Sequence, residues 1–512
     1  MVLQNDGHMA RCFLLSWFIA HSVQLFLCRV GWVSHVGRQP RRVIFWSGVM
    51  QFKPQIALFF LALLPFTVIG CAKSPVDNGP RAVFLIVVDT LRPDRLSCYG
   101  SNNPTPSIDR LAERGTTFYR AQSTASWTVP SVGAILTSMY PSQLGLVEEP
   151  APMDTDFPAR ERRRQISYTL PQSANTLAET LRDSGFRTAA FVNQPFLNFR
   201  DGFLQGFTDW RYPVSETELV WHDTEQPIPV ISYPPGTDLG LADSLLVESF
   251  VEWLEEHDSD RPFVWLHLLK PHWPYRPPPR FMEGYVDDYY EAQSYQRYDG
   301  EIRAVDDLVG RVLDAIDSFV GLDRSLVVFT SDHGEAFGEH DGREHGHTLH
   351  REVVNVPLIL AGPGLAPRER VGDFVATLSI LPTILEIAGL TTAETHGPPS
   401  LLEVVRGEAT PGFLFAEGML YGGTERSLLK DGYKLIYEVA GGEVYRLYNL
   451  STDPLENHDA GNRLSMRRED MRILMENFHA GLIAETTNET PSDKEDDDVL
   501  RSLKALGYIG GD

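Results

Sequence analysis

Five short stretches of the 512-residue chain carry side chains that could do chemistry together. Asp89 ends the apolar run Arg81–Val88. Asp332-His333-Gly334-Glu335 ends a second run, Leu326–Thr330. Trp127-Thr128-Val129-Pro130-Ser131 puts a hydroxyl before a helix-forming segment, and His272, His345, His347 and His350 add imidazoles in predicted loops. An acid at a strand end often only caps the next helix, and a threonine there often does the same. Adjacent carboxylate and imidazole donors followed by a flexible glycine nevertheless suit a divalent ion. A hydroxyl at the positive end of a helix suits an ionised nucleophile or an anion.

The elements that must position these groups read as an α/β sheet. Arg81–Val88 is β-branched and aromatic throughout, as in a parallel strand buried on both faces. Further strands are expected at Thr188–Val192, Phe263–Leu268, Leu326–Thr330 and Asn355–Leu360. Helices are expected up to Gly115, from Pro130, and over Asn175–Asp183, Leu241–Glu256, Gln296–Phe319 and Leu378–Ile387. Alternating strands and helices place ligands beyond the carboxyl ends of the strands, where Asp89 and Asp332-His333 fall. After Gly397 short strands with glycine turns (Phe413–Glu417, Ser427–Lys430, Lys434–Val439, Val444–Leu450) predict a small antiparallel sheet followed by the helix Leu464–Ile483. Stretches 148–172 and 211–240 read as surface loops.

Composition sets limits. The chain is 43% hydrophobic and 22% charged, which is ordinary for a globular protein, and its net charge is −24. Such an acidic body cannot coat a nucleic-acid backbone, so no nucleic-acid partner is expected. The four cysteines (Cys12, Cys28, Cys71, Cys98) form no CxxC pair, so neither a zinc-ribbon site nor a disulfide scaffold is expected. Met50, Lys53, the apolar run Ile56–Ile69 and Gly70-Cys71 have the layout of a secretory signal. Val68-Ile69-Gly70-Cys71 resembles a bacterial lipobox, with Cys71 the lipidated residue; a signal-anchor helix is the alternative.

The expected organisation is therefore a mis-called leader or weak transmembrane segment (1–49), a lipoprotein-type signal (50–71) and a linker (72–80). The catalytic domain follows (81–396), then a C-terminal subdomain (397–484) and an acidic linker and tail (485–512). The location implied is the bacterial cell envelope, on its periplasmic or surface face.

From about Arg81 to Gly510 the chain resembles the sulfatases of the alkaline-phosphatase-like superfamily. The resemblance rests on V-F-L-I-V-V-D-T-L-R-P-D-R-L-S-C-Y-G, S-W-T-V-P-S-V-G-A-I-L-T-S-M-Y-P-S-Q-L-G, H-L-L-K-P-H-W-P-Y, T-S-D-H-G-E and H-T-L-H-R-E-V-V-N-V-P-L-I-L. It implies a large sandwich with a mainly parallel central sheet, and a small C-terminal antiparallel sheet plus helix. It also implies one divalent ion on Asp89, Thr128, Asp332 and His333, with Thr128 as nucleophile. Mn²⁺ or Zn²⁺ is favoured by the imidazole, while Ca²⁺ and Mg²⁺ remain compatible. His272 and one of His345 or His347 match positions that hold the anionic group or protonate the leaving group. Lys270 and Asn193 are weaker candidates for the same pocket.

The chain departs from the sulfatase pattern where formylglycine would arise. Threonine stands at 128, whose oxidation would give a ketone, and Val132 replaces the arginine, so no formylglycine is expected. Thr90 replaces a second aspartate, and His333 stands where many sulfatases have asparagine. The expectation is a metal-dependent hydrolase of phosphate mono- or diesters, acting on an anionic ester through Thr128. Sulfate-ester hydrolysis and an envelope phosphoglycerol- or phosphoethanolamine-type transferase are the alternatives, with a non-catalytic tethered binding protein a third class.

Overall fold

The computed structural model describes residues 79–147, 169–197, 201–215, 230–233, 239–257, 260–282, 295–390, 398–418, 420, 425–438 and 443–484. The chain divides into two units, Met1–Pro75 and Val76–Asp512. The expected leader, signal segment with Cys71, and acidic tail lie outside the described residues. Among the described residues no helix is long and apolar enough to cross a membrane.

Fifteen strands and nine α-helices matter below. The strands are β1 (Ala82–Val88), β2 (Thr116–Gln122), β3 (Arg187–Val192), β4 (Asp209–Ser215), β5 (Val230–Tyr233), β6 (Pro262–Leu268), β7 (Ser325–Ser331), β8 (Ala336–Phe337), β9 (Arg343–Glu344), β10 (Asn355–Ala361), β11 (Glu369–Ala376), β12 (Leu414–Glu417), β13 (Arg426–Lys430), β14 (Tyr433–Glu438) and β15 (Val444–Asn449). The helices are α1 (Pro106–Arg114), α2 (Thr128–Thr137), α3 (Leu177–Asp183), α4 (Leu239–Glu256), α5 (Tyr295–Phe319), α6 (Arg351–Val354), α7 (Ile380–Ile387), α8 (Leu401–Val405) and α9 (Ser465–Ala484).

Nine strands form one sheet in the order β11-β2-β10-β7-β1-β6-β3-β4-β5. All neighbours are parallel except β10, which runs antiparallel to β2 and β7. Every residue of β1, β6 and β7 is buried, as their mainly apolar sequences require. Alternate side chains divide between two helical layers. Val83, Leu85, Val87, Phe263 and Trp265 pack with Val129 and Val132 of α2 and Leu177 and Leu181 of α3. Phe84, Ile86, Val264 and Leu266 pack with Phe250 and Trp253 of α4 and Ile302 and Val309 of α5. The second sheet, β12-β13-β14-β15, is antiparallel throughout, with Met471 and Met475 of α9 in its core.

Three features differ from the sequence expectation. β2 and β11 were not foreseen, because Thr116–Gln122 and Glu369–Ala376 mix polar with apolar residues as outer strands of a sheet do. The stretch 211–240 is not all loop. It supplies most of β4 and all of β5, which lie at one end of the sheet. The helix expected from Pro130 starts two residues earlier, so Thr128 is its first residue and Trp127 its N-cap.

Candidate active site

β7, β1, β6 and β3 are adjacent and parallel, so the residues at their carboxyl ends share one rim. Asp89 follows β1, and Asp332-His333 follow β7. His267 is the penultimate residue of β6, in register with Val87 and Val192, and Asn193 and Gln194 follow β3. β2 runs parallel to β7 across β10, and so delivers Thr128 to the same edge.

The turn after Asp89 is strained. Thr90 has φ of 56°, the left-handed region that a β-branched residue rarely enters. Surrounding bonds hold it there. Thr90 N donates to Asp332 Oδ1 (3.3 Å), Tyr298 Oη donates to Thr90 O (2.6 Å), and Leu91 N donates to Ser331 Oγ (2.9 Å). After β7 the chain turns under residues 352–353, to which Gly334 N and Glu335 N donate (2.6 and 3.0 Å). A Cβ on Gly334 would lie 2.2 Å from the Glu352 carbonyl, so glycine is required by this close approach.

The Thr128 hydroxyl does not cap its helix. Its Oγ1 lies 3.3 Å from His333 Nε2. His333 Nδ1 donates to the Gly334 carbonyl (2.9 Å), which fixes the tautomer and turns the Nε2 lone pair inward. That Nε2 is 3.6 Å from Asp89 Oδ1 and 3.5 Å from Asp332 Oδ2, separations too long for hydrogen bonds. Each carboxylate has its other oxygen tied to protein. Gln194 Nε2 donates to Asp89 Oδ2 (2.9 Å), and His333 N donates to Asp332 Oδ1 (2.9 Å).

Asp89, Thr128, Asp332 and His333, the four residues expected to share an ion, are thus brought together, each at most 1% exposed. Sequence reasoning missed His267. Its donor atom lies within 4.8 Å of those of Asp89 and Asp332. The available signal was a lone imidazole near the end of an otherwise apolar strand.

Buried charge shapes the cluster. Burial alone would raise the Asp89 carboxyl, but His267 and the imidazoles of His272 and His333 outweigh it and hold it below the usual carboxylate range. Burial and the neighbouring Asp89 charge push Asp332 up. Burial would lower His333, yet the two aspartates overcome it and raise it. The raised Asp332 and His333 describe a buried pocket where two carboxylates crowd together, which favours a cation. Asp89 Oδ1 and Asp332 Oδ2 have no hydrogen-bond partner among the described residues. Such unmet buried acceptors, with hard oxygen and imidazole donors, fit a divalent ion.

Beside this cluster lies a chain of imidazoles. The His345 ring is 4.5 Å from that of His333 and 5.1 Å from that of His272. His345 Nδ1 pairs with Glu335 Oε1 (2.8 Å), whose Oε2 accepts from Tyr275 Oη (2.8 Å). Burial pushes Glu335 up to about 7 and His345 and His272 down. His272 Nδ1 donates to the Trp273 carbonyl (2.6 Å). Of the two candidates, His345 is the buried one in this chain, whereas His347 is exposed. The His345 loop is fixed by Gly346 N donating to Ser126 O (2.9 Å) and by Leu420 N donating to Gly346 O (3.0 Å).

The structure ties the remaining sequence candidates to buried carboxylates. Lys270 Nζ donates to Glu301 Oε1 of α5 (2.7 Å) and to Pro274 O (3.2 Å). Asn193 Nδ2 donates to Asp243 Oδ1 of α4 (2.7 Å), whose oxygens also accept from Leu269 N and Lys270 N. His350 stacks on His340 (3.7 Å between centroids) and pairs with Glu456.

Comparison with known proteins agrees with this frame. Residues 81–390 match the Sulfatase family. A sulfatase of Formosa agariphila is 25% identical over 471 residues, covering 81% of this chain and 89% of that protein. The Delta 4,5-hexuronate-2-O-sulfatase of Bacteroides thetaiotaomicron is 25% identical over 368 residues, 64% of this chain and 72% of that protein. The crystal structure of the phosphonate monoester hydrolase of Agrobacterium radiobacter superposes with a TM-score of 0.59 at 19% identity, covering 79% of this chain and 95% of that one.

Proposed function

Because the chain belongs to the sulfatase family of hydrolases, we propose that it is a metal-dependent hydrolase of phosphate mono- or diesters with Thr128 as nucleophile. The observation that carries this reading is the Thr128 hydroxyl at the head of α2, 3.3 Å from His333 Nε2 and beside the two unmet carboxylate oxygens. Asp89, Asp332, His333 and Thr128 would hold the ion, Mn²⁺ or Zn²⁺ by its donor types. A divalent ion there supplies charge that favours the ionised hydroxyl and offsets the charge on the phosphoryl oxygens.

The rest falls to the chain. Thr128 Oγ1 bonds to phosphorus as the bond to the leaving oxygen breaks, and the amides at the start of α2 stabilise the developing charge. His345, with His272 beside it, takes the hydroxyl proton and passes it to the departing alcohol. The same imidazole then deprotonates a water that attacks phosphorus, the bond to Thr128 Oγ1 breaks and Oγ1 takes back the proton, releasing phosphate from a monoester or a phosphomonoester from a diester.

Sulfate-ester hydrolysis is the second reading, favoured by the names of the relatives, which are sulfatases. Threonine disfavours it. A formylglycine hydrate expels sulfate by collapsing to the aldehyde, and a threonine ester has no such route. The phosphonate monoester hydrolase supports only the shared fold, and the transferase reading needs an acceptor that nothing in the site selects. The proposal extends to an exported protein, anchored at the bacterial envelope through Cys71.

The deciding experiment compares nitrophenyl phosphate, bis-nitrophenyl phosphate and nitrophenyl sulfate on metal-stripped protein reloaded with Mn²⁺ or Zn²⁺. Phosphoester turnover is expected. Turnover of the sulfate alone would replace this reading with the second.

A further inference from the structure

We propose that His267 is a further protein ligand of the ion, giving the centre two imidazoles and two carboxylates and selecting a zinc-class transition-metal ion over calcium. The inference rests on the metal-dependent reading above and adds a ligand outside the set that the sequence suggested.

His267 is 0% exposed, and neither ring nitrogen has a hydrogen-bond partner among the described residues. A buried imidazole with both nitrogens unmet is rare, because each forfeits its hydration without compensation. Its strand neighbours, Val87 and Val192, offer nothing polar from their side chains. The Trp265 ring meets it edge-on at 5.9 Å. Its Nε2 stands 3.8 Å from Asp89 Oδ2, beyond hydrogen-bond reach.

The distances have one common explanation. Two adjacent donors bound to one ion at ~2.1 Å lie about 3.0 to 3.4 Å apart, as the angle between them opens from square to tetrahedral. The observed separations are 3.3 Å (Thr128 Oγ1 to His333 Nε2), 3.5 Å (His333 Nε2 to Asp332 Oδ2), 3.6 Å (His333 Nε2 to Asp89 Oδ1) and 3.8 Å (His267 Nε2 to Asp89 Oδ2, the oxygen that Gln194 also holds). All are too long for hydrogen bonds of normal strength and short enough to share a cation.

The donor types then choose among ions. Calcium takes about six to eight oxygens at longer range, and two imidazoles displace it from that preference. Imidazole with carboxylate suits zinc and its first-row neighbours. His267 comes from the middle of the sheet, between β1 and β3, so it is as rigidly placed as the backbone itself.

The test uses the full chain, stripped with chelator and titrated with Zn²⁺, Co²⁺ and Ca²⁺ against a chromophoric competitor. His267→Gln is expected to weaken Zn²⁺ and Co²⁺ by about 100-fold or more and to change the visible Co²⁺ spectrum. It should also abolish the rise in Tm that Zn²⁺ gives the wild type, while the metal-free Tm stays that of the wild type. Pulsed EPR of the Cu²⁺-loaded wild-type chain gives a reading independent of how the variant folds, with two coordinated imidazoles expected. One coordinated imidazole, an unchanged Zn²⁺ affinity in His267→Gln, or calcium binding tighter than zinc would each overturn the assignment and leave the metal-dependent reading standing. A wild-type chain that binds no divalent ion would overturn both.

Discussion

Glu335 and His345 face each other as a fully buried carboxylate–imidazole pair, 2.8 Å apart, with Tyr275 bonded to the carboxylate's other oxygen. The carboxylate holds the ring by Nδ1, and under the proposed mechanism Nε2 exchanges the proton with the leaving group. Glu335→Gln should lower kcat by about 100-fold or more. The loss should be larger for an alkyl phosphate than for nitrophenyl phosphate, whose leaving group needs no proton. Equal losses on both substrates would deny His345 the acid's role.

Thr128→Val removes the hydroxyl and keeps the shape. Turnover should fall by at least ~1000-fold, the scale set by loss of a nucleophile, with Tm nearly unchanged. Thr128→Ser should retain measurable activity. Rapid quenching of the wild type followed by peptide mass analysis should find a phosphoryl group at position 128, and a modified residue elsewhere would reassign the nucleophile.

Gly334→Ala forces a Cβ to within 2.2 Å of the Glu352 carbonyl, a backbone atom that cannot step aside cheaply. A destabilisation of about 2–3 kcal/mol is expected from such overpacking. Urea unfolding measures it. Because the turn carries His333, metal affinity should fall with stability, and a stable variant of normal affinity would contradict the close approach.

Glu456 lies buried between Lys434 Nζ (3.0 Å) and His350 Nδ1 (2.8 Å). Burial would raise it, but the lysine and histidine prevail and hold it down to about 2 from 4.5. A depressed carboxyl contributes stability above pH 4.5, lost as the pH falls towards 2. Glu456→Gln should cost about 3 kcal/mol at pH 7, because it strands the lysine, and should flatten stability between pH 4.5 and 2. Unfolding midpoints across that range measure both effects, and an unchanged acid slope would show that the pair does not carry it.

What the sequence made legible follows from where information is local. β1 is apolar from end to end and β7 carries the apolar run Leu326–Phe329, so their ends, and hence Asp89 and Asp332, could be placed without a structure. His267 hid inside such a run, because a single imidazole in Val264-Trp265-Leu266-His267-Leu268 looks like a packed residue until the strands on either side are known. The partner of Lys270 was hidden for a related reason. The resemblance offered it for the substrate pocket, and its bond to Glu301, 31 residues later on a helix, could not be read from the local sequence. His345 and His347 differ by two positions, and only the fold of their loop says which one turns inward.

The bonds from Gly346 to Ser126 and Leu420, together with Ser126 Oγ donating to Gly418 O (3.0 Å), stitch the segment before Thr128, the His345 loop and the chain just after β12 into one seam. Shortening the protein at residue 396, where sequence alone would cut a catalytic core, unpicks that seam from one side. The smaller sheet is therefore part of the frame that holds Thr128 and His345 in place, and a change far out in it can reach them through the backbone.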